Sequence, residues 1–334
     1  MNKQFGSVWV IAEQIDCRIL PVSLQLIGQA RKLATELNTS VETVILGDQM
    51  DKRVQQLFAA GADKVYLGNA PELAFYKPEM YTEMIVKLAK KHQPEIMLIG
   101  STSMGTELAP LVAARLGTGL TAHCIDLIID DNKILEQRIP AYGGLISIIC
   151  PEKRPQMATI ASGVFPHPEL DESRTGEIIH LEIPHEIPLR VQTLKIVREE
   201  PGGVPLESAP IVVAGGAGAG DIEGWRIIAG LSETLNAALG STRPAVDEGW
   251  TELETMIGQS GKMVSPELYI GVGLSGELQH MVGIVGAKVM VAINNDAKAP
   301  VFEQVDYGIV NDCREFVPML IEKIKEYQEK KITC

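Results

Sequence analysis

No run of about eighteen consecutive apolar residues occurs in the 334-residue sequence, so no transmembrane helix is expected. Positive charge is scarce: 30 Lys and Arg stand against 43 Asp and Glu, a formal net charge of -13. Such a field repels nucleic-acid phosphates and anionic membranes, which argues against nucleic acid as a partner. Cys17, Cys124, Cys150, Cys313 and Cys334 lie far apart, without a Cys-x-x-Cys or a neighbouring His. No metal site is therefore expected, and the thiols read as free in a reducing compartment. The apolar segment 7–12 is cut short by Glu13 and Asp16, so it does not read as a targeting signal and a cytoplasmic protein is expected. The chain is 46% apolar and 22% charged, which excludes wholesale disorder and suffices for more than one core at this length.

Short β-branched runs at residues 8–12, 41–46, 64–67 and 96–99 alternate with amphipathic stretches at 23–37, 51–60, 79–91 and 107–116. Leu24, Ile27, Ala30, Leu33, Ala34 and Leu37 recur at helical spacing. This pattern predicts a mostly parallel sheet with helices on both faces. Strand signals at 125–129, 134–138, 145–150 and 157–160 then predict an antiparallel extension. Pro184, Pro188, Pro201, Gly202, Gly203, Pro205 and Pro210 interrupt the stretch 183–210, leaving one expected strand at 191–197 and a linker at 199–209. Alternation resumes with strands at 211–214, 268–272, 288–293 and 307–310 and helices at 224–239, 276–285 and 314–331. The expected fold is α/β with two domains, 1–198 and 210–334, each a mostly parallel sheet flanked by helices.

Two glycine clusters stand directly after buried strands in the second half. Gly215, Gly216, Gly218 and Gly220 lack dinucleotide spacing, because Asp221 or Glu223 takes the sixth place; a tight turn and a phosphate contact stay equally open. Gly271, Gly273 and Gly276 do form G-x-G-x-x-G between a strand and an expected helix, with Asp296 beyond the next strand. There glycine permits the turn and the close approach of a pyrophosphate, whose charge meets unpaired amides and a positive helix end. Ser275, Gln279 and His280 place polar side chains on this segment.

The stretch from Pro266 through Gly271, Gly273, Ser275 and Gly276 to Gln279 and His280 resembles the signature of electron transfer flavoprotein α subunits. So do Gly240-Ser241-Thr242-Arg243-Pro244-Ala245-Val246-Asp247, Gly258-Gln259-Ser260-Gly261-Lys262, Gly117 to Ala122 and Arg154 to Thr159. The resemblance implies an electron carrier subunit rather than a substrate-converting enzyme, with FAD on a Rossmann-like C-terminal domain. It also implies a β-subunit partner that carries AMP or a second FAD, and exchange of electrons with an acyl-CoA dehydrogenase-type flavoenzyme or a quinone reductase. The N-terminal domain would meet the β subunit.

By the same resemblance Arg243 lies by the isoalloxazine, His280 donates to its O2, and Gln259 and Ser260 meet the N5 side. Thr242 and Ser275 hold the pyrophosphate, while Gly276, Glu277, Leu278, Gln279, Asn294 and Asp312 bind phosphate, ribityl and adenosine groups. Ala217, Ile257, Gly258 and Cys313 complete the implied set. Flavin reduction puts negative charge on the N1 and O2 edge, which a cation and a donor there would favour. The chain departs from the family pattern at Ala217, where arginine is usual, at Arg138-Ile139-Pro140-Ala141 and at Thr106. Other readings of the same glycines are a nicotinamide-dependent dehydrogenase, with Asp296 on the ribose, and a non-catalytic nucleotide-binding subunit.

Overall fold

A strand covered on both faces needs apolar side chains at every position rather than at alternate ones. The runs at 8–12 and 96–99 meet that condition and are buried end to end. The computed structural model describes residues 5–141, 144–184, 187, 193–197 and 204–332. It divides into two units, Met1–Val197 and Arg198–Cys334.

The first unit contains β1 (Val8–Ala12), the small hairpin β2 (Gln14–Ile15) and β3 (Arg18–Ile19), α1 (Pro21–Leu37), β4 (Val41–Gly47), α2 (Val54–Ala60), β5 (Lys64–Asn69) and α3 (Pro78–His92). It continues with β6 (Ile96–Gly100), α4 (Ser103–Leu116), β7 (Leu120–Cys124), β8 (Asp126–Ile129), β9 (Leu135–Ala141), β10 (Gly144–Ile149), β11 (Gln156–Ile160) and β12 (Glu177–His180). Seven strands form one sheet in the order β12-β5-β4-β1-β6-β11-β7, every pairing parallel. Helix α1 buries Leu26, Ile27, Ala30, Leu33, Ala34 and Leu37 and stops at Asn38, which takes a left-handed φ of 54°.

The antiparallel extension is the smaller sheet β10-β9-β8 alone. Residues 157–160, expected within it, instead form β11, an inner strand paired in parallel with β6 and β7. Its partner β6 lies some sixty residues earlier, so no local pattern could reveal the pairing. Strand β10 is an edge and leaves Leu145 and Ile149 at 58% and 50% exposure. Of the strand expected at 191–197, residues 193–197 are irregular and the first two lie outside the described residues.

Glu13, just after β1, is 1% exposed, and burial pushes its pKa up to about 7. Its carboxyl accepts from the Thr102 hydroxyl, which also accepts from the Gly105 amide at 3.0 Å as the N-cap of α4.

The second unit contains β13 (Ile211–Gly215), α5 (Ile222–Leu235), β14 (Ala238–Ser241), α6 (Arg243–Asp247), β15 (Leu268–Val272), α7 (Leu278–Met281), β16 (Val289–Asn294), β17 (Tyr307–Val310) and α8 (Cys313–Ile332). Its sheet is parallel in the order β14-β13-β15-β16-β17. The helix expected at 224–239 ends early: Asn236 turns left-handed at φ 49°, and the chain enters β14, a strand that the sequence pattern missed. The helix expected at 276–285 shrinks to the single turn α7, bounded by Gly276 and Gly283. Leu206 and Ala209, within the expected linker, are buried in the second unit's core. Among the described residues no helix is long and apolar enough to cross a membrane.

Candidate functional site

The order of the second sheet reverses beside β13: the chain leaves β13 toward β14 and returns to β15 on the other side. Ligands of open α/β sheets bind outside the carboxyl ends of strands at such a switch point. Two glycine turns stand there, and they differ in where their amides go.

In the turn after β13, Gly216 N–H donates to Val272 O at 3.0 Å and Gly218 N–H to Gly273 O at 2.7 Å. Ala219 donates to Gly216 O at 3.1 Å and Gly220 to Ala217 O at 3.0 Å. A Cβ on Gly218 would fall 2.7 Å from Gly273 Cα, so glycine serves here to let two backbones touch. This turn is spent on packing. Ala217 is exposed on it.

In the turn after β15, Gly273 and Gly276 adopt left-handed φ values of 61° and 86°, and a Cβ on Gly276 would lie 2.4 Å from Val301 N. Only glycine fits such a position without strain. The carbonyls are tied down: Asn294 Nδ2 donates to Leu274 O at 2.9 Å, Val301 N to Ser275 O at 2.9 Å and Gln304 Nε2 to Gly276 O at 2.9 Å. The amides of residues 275–279 find no acceptor among the described residues. Five consecutive uncommitted N–H groups form an edge suited to an anion. Because α7 is one turn long, its macrodipole adds little, and the anion site rests on these amides rather than on a helix end.

Thr242 caps the next structural piece. Its amide donates to Gly215 O at 2.9 Å, while its hydroxyl is buried without a partner among the described residues. Such a group costs about 1–3 kcal/mol unless something binds it. Arg243 comes next, with a side chain 75% exposed and, among the described residues, held only by Asp247 at 3.5 Å, a pairing too weak to fix it.

The loop carrying Ile257, Gly258, Gln259 and Ser260 is stitched to both segments. Ile257 N donates to Ser241 O at 2.9 Å and Gln259 N to Gln279 O at 2.7 Å, and a Cβ on Gly258 would meet Gln279 O at 2.3 Å. The side chains of Gln259 and Ser260 are exposed, as are Ser275, Glu277, Leu278 and Gln279. His280 is different. Its Nδ1 lies 3.0 Å from Ile257 O and its Nε2 2.6 Å from the Tyr269 hydroxyl. A carbonyl only accepts, so the neutral ring carries its proton on Nδ1, and Tyr269 O–H donates to Nε2. Burial lowers the His280 pKa to about 4, so the ring is neutral at pH 7 with no N–H to spare. The donor expected at the flavin O2 is thus engaged within the chain. Tyr269, fully buried and absent from the expected set, is its partner; nothing local in the sequence marks it.

Of the remaining expected residues, Cys313 meets the other turn. Asp312 accepts from Arg314 N at 2.8 Å, and Cys313 Sγ, buried, faces Gly218 O at 3.6 Å. Asn294, through Leu274 O and Asp296 N, and Asp296, whose carboxylate accepts from Lys298 N at 2.9 Å, are committed to their own loop. Among the described residues no cluster of three or more His, Cys, Asp or Glu could hold a metal ion.

Residues 8–186 match the family model of the electron transfer flavoprotein domain, and residues 205–285 match that of the electron transfer flavoprotein FAD-binding domain. The chain is 41% identical over 325 residues to the electron transfer flavoprotein subunit alpha of Thermoanaerobacterium thermosaccharolyticum, covering 96% of this chain and 98% of the relative. It is 38% identical to the subunit alpha of Megasphaera elsdenii, with 97% of both chains covered. It is 34% identical to the acryloyl-CoA reductase electron transfer subunit beta of Anaerotignum propionicum, with 96% of both covered. The chain belongs to the electron transfer flavoprotein α-subunit family: it is an electron transfer subunit whose C-terminal unit binds FAD.

Proposed function

We propose that FAD is held on the edge formed by residues 275–279, with Thr242 and Ser275 at the pyrophosphate and Arg243, Gln259 and Ser260 around the isoalloxazine. The single observation that carries this reading is the row of five amides without acceptors beside the unpartnered Thr242 hydroxyl. The residues present fit the group: an anion would satisfy both, and the cradle at Gly276 is kept free of a Cβ. FAD, when bound, supplies the electron-accepting and electron-donating ring. Arg243 offers that ring an exposed cation, which favours its reduced, more negative forms. His280, neutral and doubly bonded, acts here as the post that joins Tyr269, the 257–260 loop and α7. Ile257, Gly258 and Cys313, all buried, shape the site from behind, while Asn294, Asp312 and Ala217 stand toward its phosphate, ribityl and adenosine groups.

The chain would work as one half of a heterodimer in the cytoplasm. The exposed Leu145 and Ile149 on the β10 edge favour that strand as a surface for the β subunit, which would carry AMP or a second FAD. The electron partner would be an acyl-CoA dehydrogenase-type flavoenzyme or a quinone reductase, a reading supported by the name of the Anaerotignum relative. The test is copurification of the chain with its β subunit, then absorption spectra and counting of FAD and AMP per complex. One FAD on this chain is expected; a colourless complex would reject the proposal.

A further inference from the structure

We infer that Arg314 is a positioning residue for FAD: from the first turn of α8 its guanidinium clamps the 216–220 turn, and that turn fixes Gly273 and the free amides beyond it. The inference rests on the reading that residues 275–279 receive the cofactor.

Three contacts build the clamp. Arg314 Nη2 donates to Ala219 O at 2.9 Å and pairs with Asp221 Oδ1 at 2.7 Å. Asp221 Oδ1 also accepts from Gly224 N at 3.0 Å and so caps α5. A Cβ on Gly220 would lie 2.9 Å from Arg314 Nη2, and one on Gly224 3.2 Å from its Nε; both positions are glycine, which leaves room for the guanidinium. With alanine at 217, the turn takes its cation from α8.

The clamped turn transmits its position by backbone contact. Gly216 and Gly218 donate to Val272 O and Gly273 O, the residues from which the 275–279 edge departs. The 2.7 Å bond from Gly218 N–H to Gly273 O ties the two turns to each other, and a Cβ on Gly273 would meet Gly218 C at 2.8 Å. Side chains of Arg314 and Asp221 are 43% and 53% exposed, and an ion pair so placed contributes little to global stability. Its effect is orientation: one Nη2 shared between the Ala219 carbonyl and the Asp221 carboxylate ties the turn to the start of α5, and a preorganised site binds more tightly than one that must be ordered on binding.

The test measures the FAD dissociation constant of the full αβ complex, stripped of flavin and titrated by fluorescence, in four variants. Arg314→Gln is expected to weaken FAD binding about tenfold, and Arg314→Lys to recover part of the loss. Arg226→Gln is the matched control, because it breaks an exposed ion pair of the same length, 2.7 Å to Glu223, on α5; its Kd should equal the wild type. Gly276→Ala tests the underlying site reading and should weaken binding most. If Gly276→Ala weakens binding but Arg314→Gln does not, or if Arg226→Gln weakens it equally, the clamp is wrong while the site stands. An unchanged Kd in Gly276→Ala would remove the site, and the clamp with it.

Discussion

The turns after β13 and β15 are built alike, each a glycine-rich exit from a buried parallel strand, yet they have opposite chemistry. The first consumes its amides internally, through Gly216, Gly218, Ala219 and Gly220, and the second leaves those of residues 275–279 open. Both turns contain positive-φ glycines and close backbone approaches, at Gly220 and Gly218 in the first and at Gly273 and Gly276 in the second, and they differ in whether their N–H groups find acceptors. Glycine content alone does not mark a phosphate site; the destination of the hydrogen bonds does.

The strongest way to break this contrast is to place a side chain in each turn. Gly276→Ala combines an unfavourable φ with a backbone clash, costing about 2–3 kcal/mol. It should raise the FAD dissociation constant close to a hundredfold, whereas Ala217→Val on the other turn should change it less than twofold. Fluorescence titration of both variants decides.

Acid offers a second probe, because only the second turn is backed by a buried imidazole. His280 has a folded pKa of about 4, below its unfolded value, so the unfolded chain binds more protons between pH 6.5 and 4. The second unit should lose on the order of 3 kcal/mol as pH falls through that window. Glu13, raised to about 7, works in reverse: the first unit gains stability as pH falls from above 7 toward 4.5. Urea unfolding monitored by hydrogen exchange in each unit should show opposite pH slopes, which Tyr269→Phe and Glu13→Gln respectively weaken.

Arg243→Ala should lower the flavin potential by on the order of 65–130 mV, the equivalent of one charge-assisted hydrogen bond of about 1.5–3 kcal/mol for a single electron. An unaltered redox titration would take the cation away from the ring. The smallest effect belongs to Thr242→Val, which removes one hydroxyl and should weaken FAD binding roughly fivefold, for a loss of about 1 kcal/mol. That variant should also make the flavin-free unit no less stable, since the hydroxyl has no partner among the described residues.

Most strands were legible because parallel strands buried on both faces are continuous apolar runs, as at 8–12 and 268–272. The failures share a cause. Nothing local distinguishes the helix-compatible Asn236-Ala237-Ala238-Leu239 from the strand it partly forms, because pairing with β13 decides it. Likewise β11 is recognised only by its remote neighbours. On the second sheet, G-x-G-x-x-G coincides with the turn whose amides are open, but Tyr269 and Arg314 make their contacts with residues 11 and 95 positions away. The resemblance named His280 without revealing that both its ring nitrogens are already bonded.

Amide hydrogen exchange of the αβ complex, with and without FAD, measures the contrast between the two turns directly. Residues 275–279 should exchange fast in the stripped complex and slow sharply when FAD binds, while Gly216, Gly218, Ala219 and Gly220 stay protected in both. Protection gained at 216–220 with none at 275–279 would show that the cofactor sits on the other turn.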